Sequence, residues 1–272
     1  MTRGWFFVFG VLIVLGLIIF PFYWMLVTAT TPPDQLMAAD PTLTPSVSRL
    51  DVFVEVFSVV PIGYWLRNSA IVAAGTAVLC IGLSVLPAYA LSRFRFRGKA
   101  MLAFGLFLTQ MLPEAMLLVP LYALFRSFDL LNSLTGLILV NAAFGVPIVT
   151  WILKGAIDGI PIEIEEAARI DNCNRFDIVM TIALPLVAPT LAATAVIAFF
   201  HGWNEYLFAQ TFINSASLHP ASVGIAGLVG EYAVPIHFVM AAGIIYTLPA
   251  IAFFLIAQRY VVSGLTAGSV KG

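Results

Sequence analysis

The chain has 272 residues, 61% of them hydrophobic and 10% charged, with a net charge of -1 and a mean hydropathy of +1.01. A soluble domain is about one quarter charged, so this composition excludes a soluble globular protein and predicts an all-α integral membrane protein. The balanced charge leaves no basic footprint for nucleic acid, and two cysteines, Cys80 in an apolar run and Cys173 in a charged segment, form neither a disulfide framework nor a metal-binding spacing.

Arg3 is followed by thirty residues, 4–33, without Asp, Glu, Lys or Arg. A cleaved signal has an apolar core of roughly 7–15 residues, and this run is longer. About 20 apolar residues cross the hydrocarbon, so residues 5–30 read as a first membrane helix. Residues 31–65 carry five prolines and five charged residues. They read as an extramembrane loop, with a short helix near 52–59. The second helix is expected over 68–92, between Arg67 and the cluster Arg93, Arg95, Arg97 and Lys99.

A third helix is expected over 100–125, interrupted by Pro113 and Glu114, and a fourth over 134–153. After a charged loop, 155–182, the fifth covers 183–208, with Pro185 and Pro189 near its entry. Residues 209–234 lack charge until Glu231, but Asn214, Ser215, Ser217, His219, Pro220 and three glycines make them a poor span. They read as a re-entrant or extramembrane loop. The sixth helix covers 235–260, and a tail of small residues follows.

Six crossings, forming one transmembrane domain over 1–272, place both termini on one side. The N-terminus, the 93–99 loop, the 154–175 loop and the tail hold 10 of the 13 Lys and Arg residues; Arg49, Arg67 and Arg126 lie on the other face. By the positive-inside rule the termini and the charged loop are cytoplasmic. No duplicated half is evident, so an inverted repeat is not supported.

The segment PIEIEEAARIDNCNRFDIVMTIALPL, 161–186, is the longest charged stretch. Pro161 suits the first helical position, and the glutamates behind it complement the helix dipole. Asn172 can adopt the left-handed conformation that ends a helix. Asn174, with Asp177 three residues on, resembles a capping box opening a second helix. Ile164, Ala167, Ala168 and Ile170 fall near one face, an apolar patch with acidic flanks.

No phosphate-binding loop is present: Gly98-Lys99-Ala100 lacks the upstream glycine spacing and the Ser or Thr that holds Mg²⁺. No zinc-protease, nucleophile-elbow or Cys/His ligand pattern appears. The chain is not expected to be an enzyme or to hydrolyse ATP itself. Carboxylates inside membrane helices are functional candidates. Glu205, in HGWNEYLF, reads equally as the polar wall of a substrate path, with Trp203 and Tyr206 stacking on a sugar, or as a helix-end carboxylate among interfacial aromatics. Glu114 reads as a packed polar residue at a proline kink, and His201 and His237 as hydrogen-bonded interior residues.

Here a resemblance enters. EEAARIDNCNRFDIVMTIALPL is similar to the EAA loop of ABC-importer permeases: Glu166, Ala167, Ala168 and the Ile182-Ala183-Leu184-Pro185 ending match, with Asn172 where the family usually has Gly. AYALSRFRFRGK, FFHGWNEYLFA, the ending QRYVVSGLTAGSVKG and the Asn68-Ser69 pair resemble the six-helix, maltose-type branch of carbohydrate importers. The resemblance runs from about residue 68 to the end; the first 60 residues fit only by pattern.

The resemblance implies an ABC type I importer permease fold in the plasma membrane of a prokaryote. It implies a second homologous permease subunit, two ATPase subunits that bind ATP and Mg, and an extracytoplasmic solute-binding protein; no cofactor is implied in this chain. The EAA segment would be the cytoplasmic coupling helix, with Glu165, Glu166, Ala167, Ala168, Asp171 and Asn172 meeting an ATPase. Thr266, Gly268 and Lys271 of the tail would reach toward the ATPase pair. Trp203, Asn204, Glu205 and Tyr206 would line the substrate path, and the 214–234 loop would face the binding protein. Two other readings compete: a secondary carrier working alone, with Glu114 as its ion-coupling carboxylate, and a membrane scaffold that would leave the charged loop unexplained.

Overall fold

The computed structural model describes residues 2–36, 38, 42–230 and 234–267; of residues 2–6, 230 and 259–267 it describes the backbone alone. These residues form helices and connecting loops, without a strand. The first helix, α1 (Thr2–Thr30), is followed by a short helix, α2 (Val52–Val59). Then comes α3 (Ile62–Arg93), longer than the 68–92 run expected. It starts directly after Pro61, so Arg67 lies inside it. A charge marks where hydrocarbon ends, whereas a helix ends only where its backbone hydrogen bonds do.

The third span is broken. α4 (Lys99–Thr109) and α5 (Glu114–Ser127) meet at 99°, the break falling at the Pro113 and Glu114 interruption expected in the 100–125 helix. Pro113 supplies no N–H and disfavours helical conformation in the residue before it. Gln110 in the break donates through Nε2 to the Phe144 carbonyl, 3.0 Å away. That carbonyl belongs to α6 (Leu134–Asp158), which outruns the 134–153 prediction. Lys154 pairs with Asp158 one turn on, so the last turn of α6 satisfies its own charges.

The charged segment folds as α7 (Ile162–Ile170), then α8 (Arg175–Leu186), which contains a π turn at Ile178–Ala183. α9 (Ala188–Trp203) leaves α8 at 81°. Pro189, at the entry of α9, cannot bond back to the turn before it. The fifth span is therefore two helices that turn at Val187. It ends at Trp203, short of the 208 expected, and α10 (Leu207–Phe212) follows. α11 (Ala221–Gly230) forms inside the 209–234 loop, and α12 (Ile236–Ala267) follows it.

Three apolar clusters hold the bundle. One joins α3, α6, α7, α8 and α9. A second joins α1, α2, the start of α3, α11 and α12. The third joins α3, α5, α6, α10 and α11. Among the described residues, α3 alone contributes buried residues to all three: Ile62 and Trp65, Val72, and Ala73 through Tyr89. Small residues set the spacing, as they do between membrane helices. A Cβ on Gly202 of α9 would stand 3.0 Å from Cα of Ala73, and one on Gly224 of α11 would stand 2.2 Å from the Trp65 ring. α1 packs on α12, and its stretch from Phe7 to Trp24 is largely exposed. Among the described residues, four helices are long and apolar enough to cross a membrane, and up to six if each bent pair counts as one span.

Candidate functional site

Two regions carry the polar chemistry. The first lies at the end of the bundle where α3 and α6 finish. Asn172 adopts φ 63°, the left-handed turn that closes α7, and the Cys173 N–H donates to the Ala168 carbonyl. Asn174 Oδ1 then accepts from the Asp177 N–H at 3.0 Å while Asp177 Oδ2 accepts from the Asn174 N–H at 3.1 Å. Helix, left-handed turn and capped helix thus follow from three polar residues.

The side chains of this segment divide sharply. Glu166, Ala167, Asp171 and Asn172 are exposed, and Ile170 and Phe176 are exposed to 82% and 60%. Ile162 and Ile164 are also exposed, whereas Ala168 is buried. Glu165 is completely buried. Its Oε2 accepts from the Tyr89 hydroxyl at 2.8 Å, and its Oε1 from Arg93 Nε at 2.6 Å. Arg93 Nη2 donates onward to the Ile160 carbonyl at 2.7 Å. Glu165, expected among residues that meet an ATPase, has no surface to present; it ties α7 to α3. The physical reason is that Glu165 and Ala168, one turn apart, lie on the inward side of α7, where Glu165 meets α3.

Neighbouring links stiffen the same corner. The Ser92 hydroxyl donates to Asp158 Oδ1 at 2.6 Å, joining the ends of α3 and α6. The Arg175 guanidinium lies 4.6 Å from the centre of the Phe94 ring, and that ring packs edge-on against Tyr89.

The second region lies at the other end. An open cleft of about 590 Å³ is lined by Glu114, Phe200, His201, Asn204, Glu205 and Tyr206, with Ile197 and Leu207. Clefts of this size take small ligands. The residues expected to line a path divide. Asn204 and Tyr206 are exposed at the cleft. Trp203 is 2% exposed, stacked between Phe199 and Tyr246 with ring centres 5.7 and 5.3 Å away. It is packing, not a sugar platform. Glu205 is 9% exposed, and its carboxylate accepts from the Phe208 and Ala209 N–H groups at 2.6 and 2.9 Å. It borders the cleft and caps the start of α10.

His201 is half-buried and His237 buried, but His201 Nε2 and His237 Nδ1 have no partner among the described residues. His201 and His237, expected as hydrogen-bonded interior residues, therefore have one unpartnered ring nitrogen each among the described residues. Among the described residues no group of three or more His, Cys, Asp or Glu could hold a metal ion.

Residues 213–220 are anchored by polar side chains that sequence reasoning did not assign a task. Asn68 Nδ2 donates to the Ser217 and His219 carbonyls at 2.9 and 3.1 Å. Ser69 Oγ accepts from the Ala221 N–H at 2.8 Å, opening α11. Asn132, at φ 51°, accepts from the Asn214 and Ser215 N–H groups. The signal was present: an Asn-Ser pair at the start of a long apolar run must find partners when buried. Gly268 and Lys271 lie outside the described residues, and of Thr266 only the backbone is described, inside α12.

A helical bundle with several helices apolar enough to cross a membrane and a charged helical elbow at one end defines a multi-pass membrane protein. Residues 79–267 match the family described as "Binding-protein-dependent transport system inner membrane component", and the chain belongs to that family. It is 34% identical to the "Inner membrane ABC transporter permease protein YcjP" of Escherichia coli, across 97% of this chain and 95% of that one. It is 34% identical to the "Trehalose/maltose transport system permease protein MalG" of Thermococcus litoralis, across 97% and 96%. Its fold is shared with a bacterial ABC transporter "involved in the import of the acidic polysaccharide alginate": TM-score 0.83, 21% identity, 95% of this chain and 96% of that one. The protein is a non-catalytic, multi-pass inner-membrane permease of a binding-protein-dependent system, not a carrier working alone.

Proposed function

We propose that this permease is one half of the translocation path of an ATP-driven carbohydrate importer and that α7 is its coupling helix. The observation that carries the reading is the division of α7 and its flank. Glu165 is buried, while Ile164, Ile170 and Phe176 are exposed beside the carboxylate of Glu166. Exposed apolar side chains rimmed by polar ones mark a protein-binding surface. Glu166, Ala167, Asp171 and Asn172 would meet a cytoplasmic ATPase subunit; two such subunits would bind ATP and Mg. A second homologous permease would pair with this chain, and an extracytoplasmic solute-binding protein would dock over residues 214–234. Both termini would be cytoplasmic, with Thr266, Gly268 and Lys271 reaching the ATPase pair. The trehalose/maltose relative supports a sugar cargo, and Asn204, Tyr206 and the rim supplied by Glu205 would line its route.

The test is gentle purification of the tagged chain from its own membrane, followed by mass spectrometry. Recovery of a second permease and two copies of an ATPase is the expected result. A lone chain that transports by itself would overturn the reading. Glu166→Lys should leave an inserted chain that loses its ATPase; normal transport and normal co-purification in that variant would remove α7 from the coupling role.

A further inference from the structure

We propose that α3 is the rod through which nucleotide state at the cytoplasmic face reaches the external loop, with the Tyr89–Arg93–Glu165 cluster as its grip on α7. This rests on the coupling role proposed for α7. At one end α3 holds α7 through the buried Glu165, which accepts from Tyr89 and Arg93. A charge in an interior site remains there only while its partners stay in place, so α7 cannot shift without either moving the end of α3 or breaking the cluster. At the other end Asn68 and Ser69 hold the backbone of Ser217, His219 and Ala221. All four of Asn68, Ser69, Tyr89 and Arg93 belong to one unbroken helix. At 1.5 Å per residue the 25 steps from Asn68 to Arg93 span about 38 Å.

The rod is splinted. Pro87 removes one bond from its ladder, but α6 runs alongside. Ser84 donates to the Val146 carbonyl at 3.1 Å and Ser92 to Asp158 at 2.6 Å, on either side of that proline. Because α3 also supplies buried side chains to each of the three clusters, its displacement is felt across the bundle. A rigid element gripped at both ends by directional bonds transmits a rigid-body movement. Tyr89 and Arg93 are thus positioning residues for coupling, acting through Glu165.

The test uses the assembled complex in lipid nanodiscs, with Cys80→Ala and Cys173→Ser removing the native thiols. Ala216→Cys, exposed on the external loop, is labelled with a membrane-impermeant maleimide, without nucleotide and after trapping with Mg-ATP and vanadate. With the cluster intact, the two labelling rates should differ by about fivefold or more, the lower end of ordinary coupling between sites. Glu165→Ala should abolish that difference in complexes that still hold their ATPase subunits. Asn68→Ala, at the far end, should abolish it too. If Glu165→Ala does not assemble, the filled and charge-free Arg93→Met/Glu165→Leu pair is measured instead, with the same expectation. Nucleotide dependence that persists in either end's variant, or that is missing with the cluster intact, overturns the proposal. Failure of the underlying permease reading shows earlier and separately, as a wild-type chain that carries no ATPase.

Discussion

Arg93 Nε donates to Oε1 of Glu165 across 2.6 Å, and the two side chains are 10% and 0% exposed. They lie 72 positions apart in sequence. Removing one partner of a buried pair strands the other, at a cost of about 3–5 kcal/mol. Arg93→Ala should therefore lower unfolding free energy by that amount in mixed detergent micelles. The Arg93→Met/Glu165→Leu pair should lose clearly less than either single truncation. If the losses simply add, the two residues are not coupled.

Trp203 and Tyr206 should separate in the same assay. Trp203→Ala opens a cavity among stacked rings and should cost about 3–5 kcal/mol. Tyr206→Ala and Asn204→Ala, at exposed positions, should stay within about 0.5 kcal/mol. In reconstituted vesicles the latter two should nevertheless slow uptake. Unimpaired uptake in both would remove the cleft from the proposed path.

The turn after α7 offers a test in both directions. Asn172 holds φ 63°, which glycine adopts without strain and a β-branched residue resists. Asn172→Gly should be close to neutral, the relief of left-handed strain being offset by glycine's greater freedom in the unfolded chain. Asn172→Val should cost about 1–2 kcal/mol, and should weaken co-purification of the ATPase because α7 and α8 lose their fixed angle. Equal ATPase recovery from both variants would separate the turn from docking.

Gly224 is a packing requirement. Its added Cβ would lie inside contact distance of the Trp65 ring, and overpacking costs about 1–3 kcal/mol. Gly224→Ala should lower thermal stability and change the tryptophan emission. An unshifted spectrum with full stability would show that α11 moves aside freely.

Much of this protein is determined by its sequence alone. Length of apolar run and proline position mark the long apolar helices and where they break, because each backbone must satisfy its own hydrogen bonds in lipid. The α7–turn–α8 unit is equally local: Asn172, Asn174 and Asp177 act on neighbours within a few residues. Helix ends were less legible, because Arg67 and the Lys154–Asp158 pair sit on helices that continue past the charge. The two near-right-angle bends were marked by Pro113 and Pro189, but their size depends on how the adjoining helices pack.

Only the tertiary structure decided the direction in which side chains point. Glu165 and Glu166 are adjacent and chemically identical, yet one is buried against Tyr89 and Arg93 and the other is exposed. Trp203 and Tyr206 belong to one aromatic motif, yet one is packing and the other faces a cleft. The roles of Asn68 and Ser69 depend on a loop about 150 residues away. Local sequence sets which residues share a helix face; which face is covered is set by the element that packs against it, and that partner comes from elsewhere in the chain.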